Sequence, residues 1–233
     1  MIPWKTIDAA TVPGSGESLQ LRQRGDEFSI RGNRYELMNS RMHGSEETLA
    51  TLACQAIAGR PRPRILIGGL GMGYTLAAAL AQLSNDSRVT VAELVPAVVQ
   101  WNRGPLAHLA GHPLKDARVR VVEIDVAVCL RTDEAVYDAV ILDIDNGPDG
   151  LTRRENDWIY GHHGVRAIHA ALRPNGVLTV WSAAPVANRC PSSLIATAWT
   201  AIWCPTSGKG GVGSSQRRDV PSSPAVTNWS PCG

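Results

Sequence analysis

The chain has 233 residues, 44% of them hydrophobic, and a formal charge of +2 from 23 basic and 21 acidic side chains. That length admits one domain with an appendage rather than two full domains, and the near-even charge excludes the large basic excess of an electrostatic nucleic-acid binder. No apolar run approaches the ~20 residues that span a bilayer, and Met1-Ile2-Pro3-Trp4-Lys5 lacks the apolar stretch of a secretion signal, so a cytoplasmic protein with no membrane partner is expected.

Residues 1–43 read as a small β region. Stretches 18–22, 27–31 and 34–38 are candidate strands, and Gly25-Asp26 and Gly32-Asn33 between them are turn dipeptides.

Residues 44–182 alternate between helical and strand patterns. Ser45-Glu46-Glu47 opens a helix, with a capping hydroxyl followed by acids in the first turn. Residues 64–67 form an apolar strand followed by glycines, and residues 74–83 read as a helix. A strand at 89–92 ends at Glu93, and a helix starting at Pro96 runs to about Leu109. Strands at 118–124 and 139–142 end at Asp125 and Asp143. A helix near 165–172, the turn Pro174-Asn175-Gly176 and a strand at 177–181 follow. Short apolar strands separated by helices imply a parallel sheet buried on both faces, an α/β Rossmann-like architecture.

Residues 183–233 change texture. Serine, proline and glycine are scattered without period, three of the five cysteines fall here, and Asp219 is the one acid. This composition suits an irregular, disordered or loosely packed tail, and it is also what a GC-rich gene gives when read out of frame after about Ala184. No strands are expected in it, apart from an element within 194–203, so the preceding sheet is expected to lack its terminal hairpin. The glycines at 208–213 imitate a phosphate loop, but no strand precedes them to aim it.

The chemistry gathers at the ends of the strands. Gly69, Gly71 and Gly73 sit in a strand-to-helix turn, where glycine lets backbone approach a ligand and present N–H groups. Glu93 stands 24 positions after Gly69, where a carboxylate accepts both hydroxyls of a ribose. Asp125 and Asp143 close the next two strands, at the crevice where open α/β sheets bind ligands. The set fits a nucleoside without phosphate, such as S-adenosylmethionine or its decarboxylated form. The five cysteines make no C-x-x-C and the six histidines make no ligand spacing, so no metal is expected.

From about residue 20 to 182 the sequence resembles the spermidine synthase family of aminopropyltransferases, a branch of the class I methyltransferase fold. The matching pieces are residues 44–50, 65–73, 91–94, 125–126, 137–143 and 172–178, in order along the chain. The resemblance implies transfer of an aminopropyl group from decarboxylated S-adenosylmethionine to a small-molecule amine, and a homodimer. It implies that Gly69 and Gly71 lie under the transferred arm, that Glu93 holds the ribose and that Asp125 and Val126 face the adenine. Asp143 matches the proton-accepting Asp, and Glu46 and Glu47 fall where the first helix borders the amine pocket. The chain departs at three places, the first being the Asp-Glu pair that precedes the family's first helix, which reads Arg41-Met42 here. Gly71 stands where the family's glycine loop carries Asp, and Asn146 replaces the second acid of a D-x-x-D-P motif, with Asp145 beside it as a substitute. Those losses keep two alternatives: an S-adenosylmethionine-dependent small-molecule methyltransferase, and a non-catalytic nucleoside-binding relative.

Overall fold

The computed structural model describes residues 2–32, 35–144, 157–182, 200–205 and 226–228. Two sheets organise them. The first is an antiparallel meander of β1 (Lys5–Thr11), β2 (Ser18–Arg24), β3 (Glu27–Gly32) and β4 (Glu36–Asn39), in that order. β2 and β3 alternate enough to bury Leu19, Leu21, Phe28 and Ile30 on one face. β1 was not legible in sequence. It is a bulged and largely exposed edge strand whose register slips between Thr6 and Asp8, so it carries no apolar alternation.

The second sheet is built from β5 (Arg64–Gly68), β6 (Arg88–Ala92), β7 (Val119–Val122), β8 (Tyr137–Leu142) and β9 (Leu172–Ser182), all parallel, in the order β9-β8-β5-β6-β7. Ile65, Leu66, Ile67 and the whole of β8 are buried, as a sheet covered on both faces requires. Its helices are α1 (Gly44–Ala56), α2 (Tyr74–Gln82), α3 (Pro96–Arg103), α4 (Val126–Thr132), α5 (Asp157–Tyr160) and α6 (His162–Ala171). α3 is shorter than its sequence suggests because the chain leaves the helix at Gly104, before Pro105. α4 was not anticipated at all. The turn expected at 174–176 lies within β9, where Asn175 takes a left-handed φ of 60°.

One expectation is corrected. Residues 183–233 were read as supplying no strands and leaving the sheet without its terminal pair. Instead β10 (Thr200–Pro205) runs parallel to β9, and β11 (Val226–Asn228) returns antiparallel to β10. The run Thr-Ala-Ile-Trp-Cys is rich in residues that suit a pleat, and the apolar edge of β9 gives it a partner. The phosphate-loop imitation at 208–213 lies outside the described residues.

The two sheets are joined through the core. Leu19, Leu21, Phe28 and Ile30 share one apolar cluster with α1, α2 and α3. Trp101 of α3 is 2% exposed and donates its indole N–H to Asp8 Oδ2 of β1 at 2.7 Å. Buried apolar area of this kind is worth roughly 25 cal/mol per Å², so the small sheet is held chiefly by burial and its position is fixed by the Trp101–Asp8 bond. No helix among the described residues is long and apolar enough to cross a membrane.

Candidate active site

A cavity of about 220 Å³ opens between the small sheet and the carboxyl ends of the parallel strands. Reading across the large sheet, its floor is Trp181 at the end of β9, Asp143 after β8, Gly69 after β5, Glu93 after β6 and Asp125 beyond β7. The small sheet forms the roof with Leu19, Ile30, Leu37 and Met38, and α1 adds Glu46.

Gly69 adopts φ 88° and donates its N–H to the Ala92 carbonyl at 2.9 Å. A Cβ here would collide with the Asp143 carbonyl oxygen, so the glycine is required by the close approach of two strand ends. Gly71, at φ 53°, faces Met38: a Cβ would lie 2.8 Å from its sulfur. Gly73 supports the turn without lining the cavity. It caps α2 at φ 84° and faces Asn102 and Pro113.

Glu93 is 7% exposed. Its Oε2 accepts from Leu70 N–H and its Oε1 from Val95 N–H, both at 2.8 Å. The carboxylate thus ties the glycine turn to the start of α3, while burial, the largest influence, pushes its pKa up. Each carboxylate oxygen keeps a further acceptor position for a ligand. Asp125 caps α4, its Oδ1 accepting from Ala127 N–H at 2.9 Å, and it also lines the cavity. Val126 is buried and packs on Gly68.

Asp143, like Glu93, is a carboxyl pushed up from its ordinary value. Burial drives its pKa up, the Thr75 hydroxyl donating to Oδ2 at 2.5 Å opposes that, and the negative charges of Glu46 and Glu93 raise it again, to about 7. Glu46 is buried in the first turn of α1 and accepts from Ser45 Oγ at 2.6 Å. Glu47 lies on another face of α1. It pairs with His43 Nδ1 at 2.7 Å in a separate shallow cleft, beside a Tyr74 ring stacked on the histidine. Asp145 and Asn146 lie outside the described residues.

Sequence reasoning missed Met38, Glu17, Thr75 and Trp181. Trp181 carried a signal, since it sits at the carboxyl end of a strand like the residues that were found. The small-sheet residues carried none, because nothing local shows which face a meander turns toward another sheet.

The charged residues lining the cavity are Glu17, Glu46, Glu93, Asp125 and Asp143, and no basic side chain lines it among the described residues. Such a lining attracts cations and disfavours a ligand carboxylate. No group of three metal-ligating side chains occurs among the described residues.

A family model described as the spermine/spermidine synthase domain matches residues 42–196. Polyamine aminopropyltransferase 1 of Streptomyces coelicolor is 32% identical over 137 residues, which is 58% of this chain and 25% of that protein. Polyamine aminopropyltransferase 2 of Pseudomonas aeruginosa is 31% identical over 124 residues, 52% of this chain and 33% of that protein. The chain therefore spans a quarter to a third of the curated relatives it matches. A solved spermidine synthase bound to the transition-state analogue AdoDATO superposes with a TM-score of 0.59, covering 85% of this chain and 56% of that one. The spermidine synthase of Thermotoga maritima gives 0.60, covering 85% and 57%. Both are 15% identical to this chain and speak to the fold.

Proposed function

The chain belongs to the spermine/spermidine synthase family, and on that premise we propose that it transfers an aminopropyl group from decarboxylated S-adenosylmethionine to a small-molecule amine in the cytoplasm. The observation that carries this reading is that every charged side chain lining the cavity among the described residues is acidic. Decarboxylated S-adenosylmethionine brings a sulfonium and an ammonium and no carboxylate. Intact S-adenosylmethionine would bring a carboxylate to five acids, with no basic side chain among the described lining residues to meet it. That weighs against the methyl-transfer alternative.

The order of residues across the sheet supports the following roles. Asp125 and Val126 take the adenine and Glu93 the ribose. Gly69 and Gly71 allow the sulfonium arm to lie against the backbone. Glu46 and Asp143 take the acceptor amine. The amine nitrogen attacks the propyl carbon bonded to sulfur. A C–N bond forms, the C–S bond breaks, and its electron pair returns to sulfur, leaving neutral methylthioadenosine. The nitrogen must lose a proton, which passes to the Asp143 carboxylate.

An alkylamine is protonated at neutral pH, and an ordinary Asp is a weak base. Raising Asp143 to about 7 brings its basicity closer to the amine's while leaving much of it ionised at neutral pH. Holding both reactants in line supplies the rest of the advantage. The test is incubation with decarboxylated S-adenosylmethionine and a panel of alkylamines, read by mass spectrometry. The expected result is a product heavier than the amine by one aminopropyl group, with methylthioadenosine released. Methylated product from intact S-adenosylmethionine instead would overturn the reading.

A further inference from the structure

Resting on the aminopropyl-transfer reading, we propose that Asn102 is a positioning residue for the transferred arm. Its buried amide holds the Gly71 carbonyl, and through it the stretch of backbone against which the sulfonium arm lies.

Three of the five residues from 69 to 73 are glycine, so hydrogen bonds must do much of the work of fixing this turn. Gly69 N–H goes to the Ala92 carbonyl at 2.9 Å, Leu70 N–H to Glu93 Oε2 at 2.8 Å and Gly73 N–H to the Leu70 carbonyl at 2.8 Å. Gly71 lines the cavity at a left-handed φ of 53°. Asn102 Nδ2 donates to its carbonyl at 2.8 Å.

Asn102 itself is 2% exposed and is not among the residues that line the cavity, so it acts through Gly71. Its Nδ2 donates a second time, to the Val98 carbonyl one turn back on α3, at 2.9 Å. Two carbonyl acceptors identify that end of the amide as the nitrogen. The other end, Oδ1, is buried without a hydrogen-bond partner among the described residues. A buried unpaired acceptor destabilises, and a leucine of similar size would avoid it, so what this amide contributes is its two N–H bonds. The preceding residue, Trp101, bonds Asp8 of the small sheet. Two consecutive residues of α3 therefore tie the roof and the glycine turn to one helix. Met38 of the roof meets that turn at Gly71.

The experiment titrates two ligands by calorimetry: decarboxylated S-adenosylmethionine, and methylthioadenosine, which is the same nucleoside without the aminopropyl arm. The proteins are the unaltered chain, Asn102→Leu and Asn102→Ser. Leucine keeps the volume and removes both bonds. Serine keeps a hydroxyl that bonds back to the Val98 carbonyl and falls short of Gly71. Both variants are expected to lose about tenfold or more in affinity for decarboxylated S-adenosylmethionine while keeping their affinity for methylthioadenosine. Equal weakening of both ligands, which a merely structural role or a failure to fold would give, overturns the proposal. Unchanged affinity for both ligands, or a loss confined to Asn102→Leu, also overturns it. An unaltered chain that fails to bind decarboxylated S-adenosylmethionine overturns the aminopropyl reading itself, which separates the two failures.

Discussion

Asp143 sits where opposing influences on one carboxyl nearly meet. Burial and the charges of Glu46 and Glu93 favour its protonated form, and the Thr75 hydroxyl favours the ionised form. In its proposed role as general base it works only when ionised. Product formation is therefore expected to rise with pH through about 7 and level off above it. Removing the Thr75 hydrogen bond raises the pKa further, so Thr75→Val is expected to move that limb to higher pH. Asp143→Asn is expected to lower kcat by roughly 10²- to 10⁴-fold, the usual span for a positioned base, and to abolish the limb. A limb that persists in Asp143→Asn would assign the proton to another group. The same shift has a cost in stability. The unfolded chain releases this proton near pH 4 and the folded chain near 7, so folding stability contributed by this group declines as pH rises across that window. Gly69 is the other residue on which the site turns. Gly69→Ala places a methyl against the Asp143 carbonyl at a left-handed φ, and an unfolding titration is expected to register a loss of about 1–3 kcal/mol or more.

At the scale of elements, the carboxyl ends of the strands hold the chemistry and the amino ends hold the structure. Asp138, near the start of β8, is buried and accepts from Arg60 Nη1 at 2.8 Å, Arg173 Nη1 at 3.0 Å and Arg64 N–H at 2.8 Å. Removing one member of a buried ion pair strands the others, so Asp138→Ala is expected to cost about 3 kcal/mol in chemical denaturation. The substitution sits at the opposite end of β8 from Asp143, so a comparable loss in Glu93→Gln, which unties the glycine turn, should come with weakened cosubstrate binding while Asp138→Ala should not. Elements differed in how readable they were. β5, β6 and β8 announced themselves as short apolar runs ending in Gly or an acid. α4 did not, because residues 126–132 mix two valines, a cysteine and a threonine with only alanine, leucine and arginine as strong helix formers. Its signal was Asp125 as a capping residue, which sequence reasoning had assigned to the ligand alone. The side chain caps the helix through one oxygen, and Asp125 also lines the cavity. Glu46 and Glu47 show the limit of proximity in sequence: adjacent helical positions point about 100° apart, and only Glu46 reaches the cavity.

The whole molecule makes its site by closing one sheet over another. Neither sheet holds the cavity alone, since the large sheet's strand ends supply Glu93, Asp125 and Asp143 and the small sheet supplies Leu19, Ile30, Leu37 and Met38. That division was not legible, because the pairing of two sheets is a long-range event without local periodicity. The Trp101–Asp8 bond fixes their relation. Asp8→Ala leaves a nearly buried indole N–H unpaired and is expected to cost about 1 kcal/mol, with a matching loss of cosubstrate affinity as the roof loosens. An unchanged affinity would detach the small sheet from the site. The composition of residues 183–233 has its own test at this scale. Re-reading the gene in its other frames around codon 184 is expected to give Val, Ile and Leu alternating with acids, and frames without that pattern contradict an out-of-frame origin.

The most direct measurement is the calorimetric affinity of the chain for decarboxylated S-adenosylmethionine beside that for intact S-adenosylmethionine. The two ligands differ by the single carboxylate that the cavity's five acids should reject. Tighter binding of the decarboxylated form, by about tenfold or more, is the predicted result. Equal or tighter binding of the intact form would contradict it.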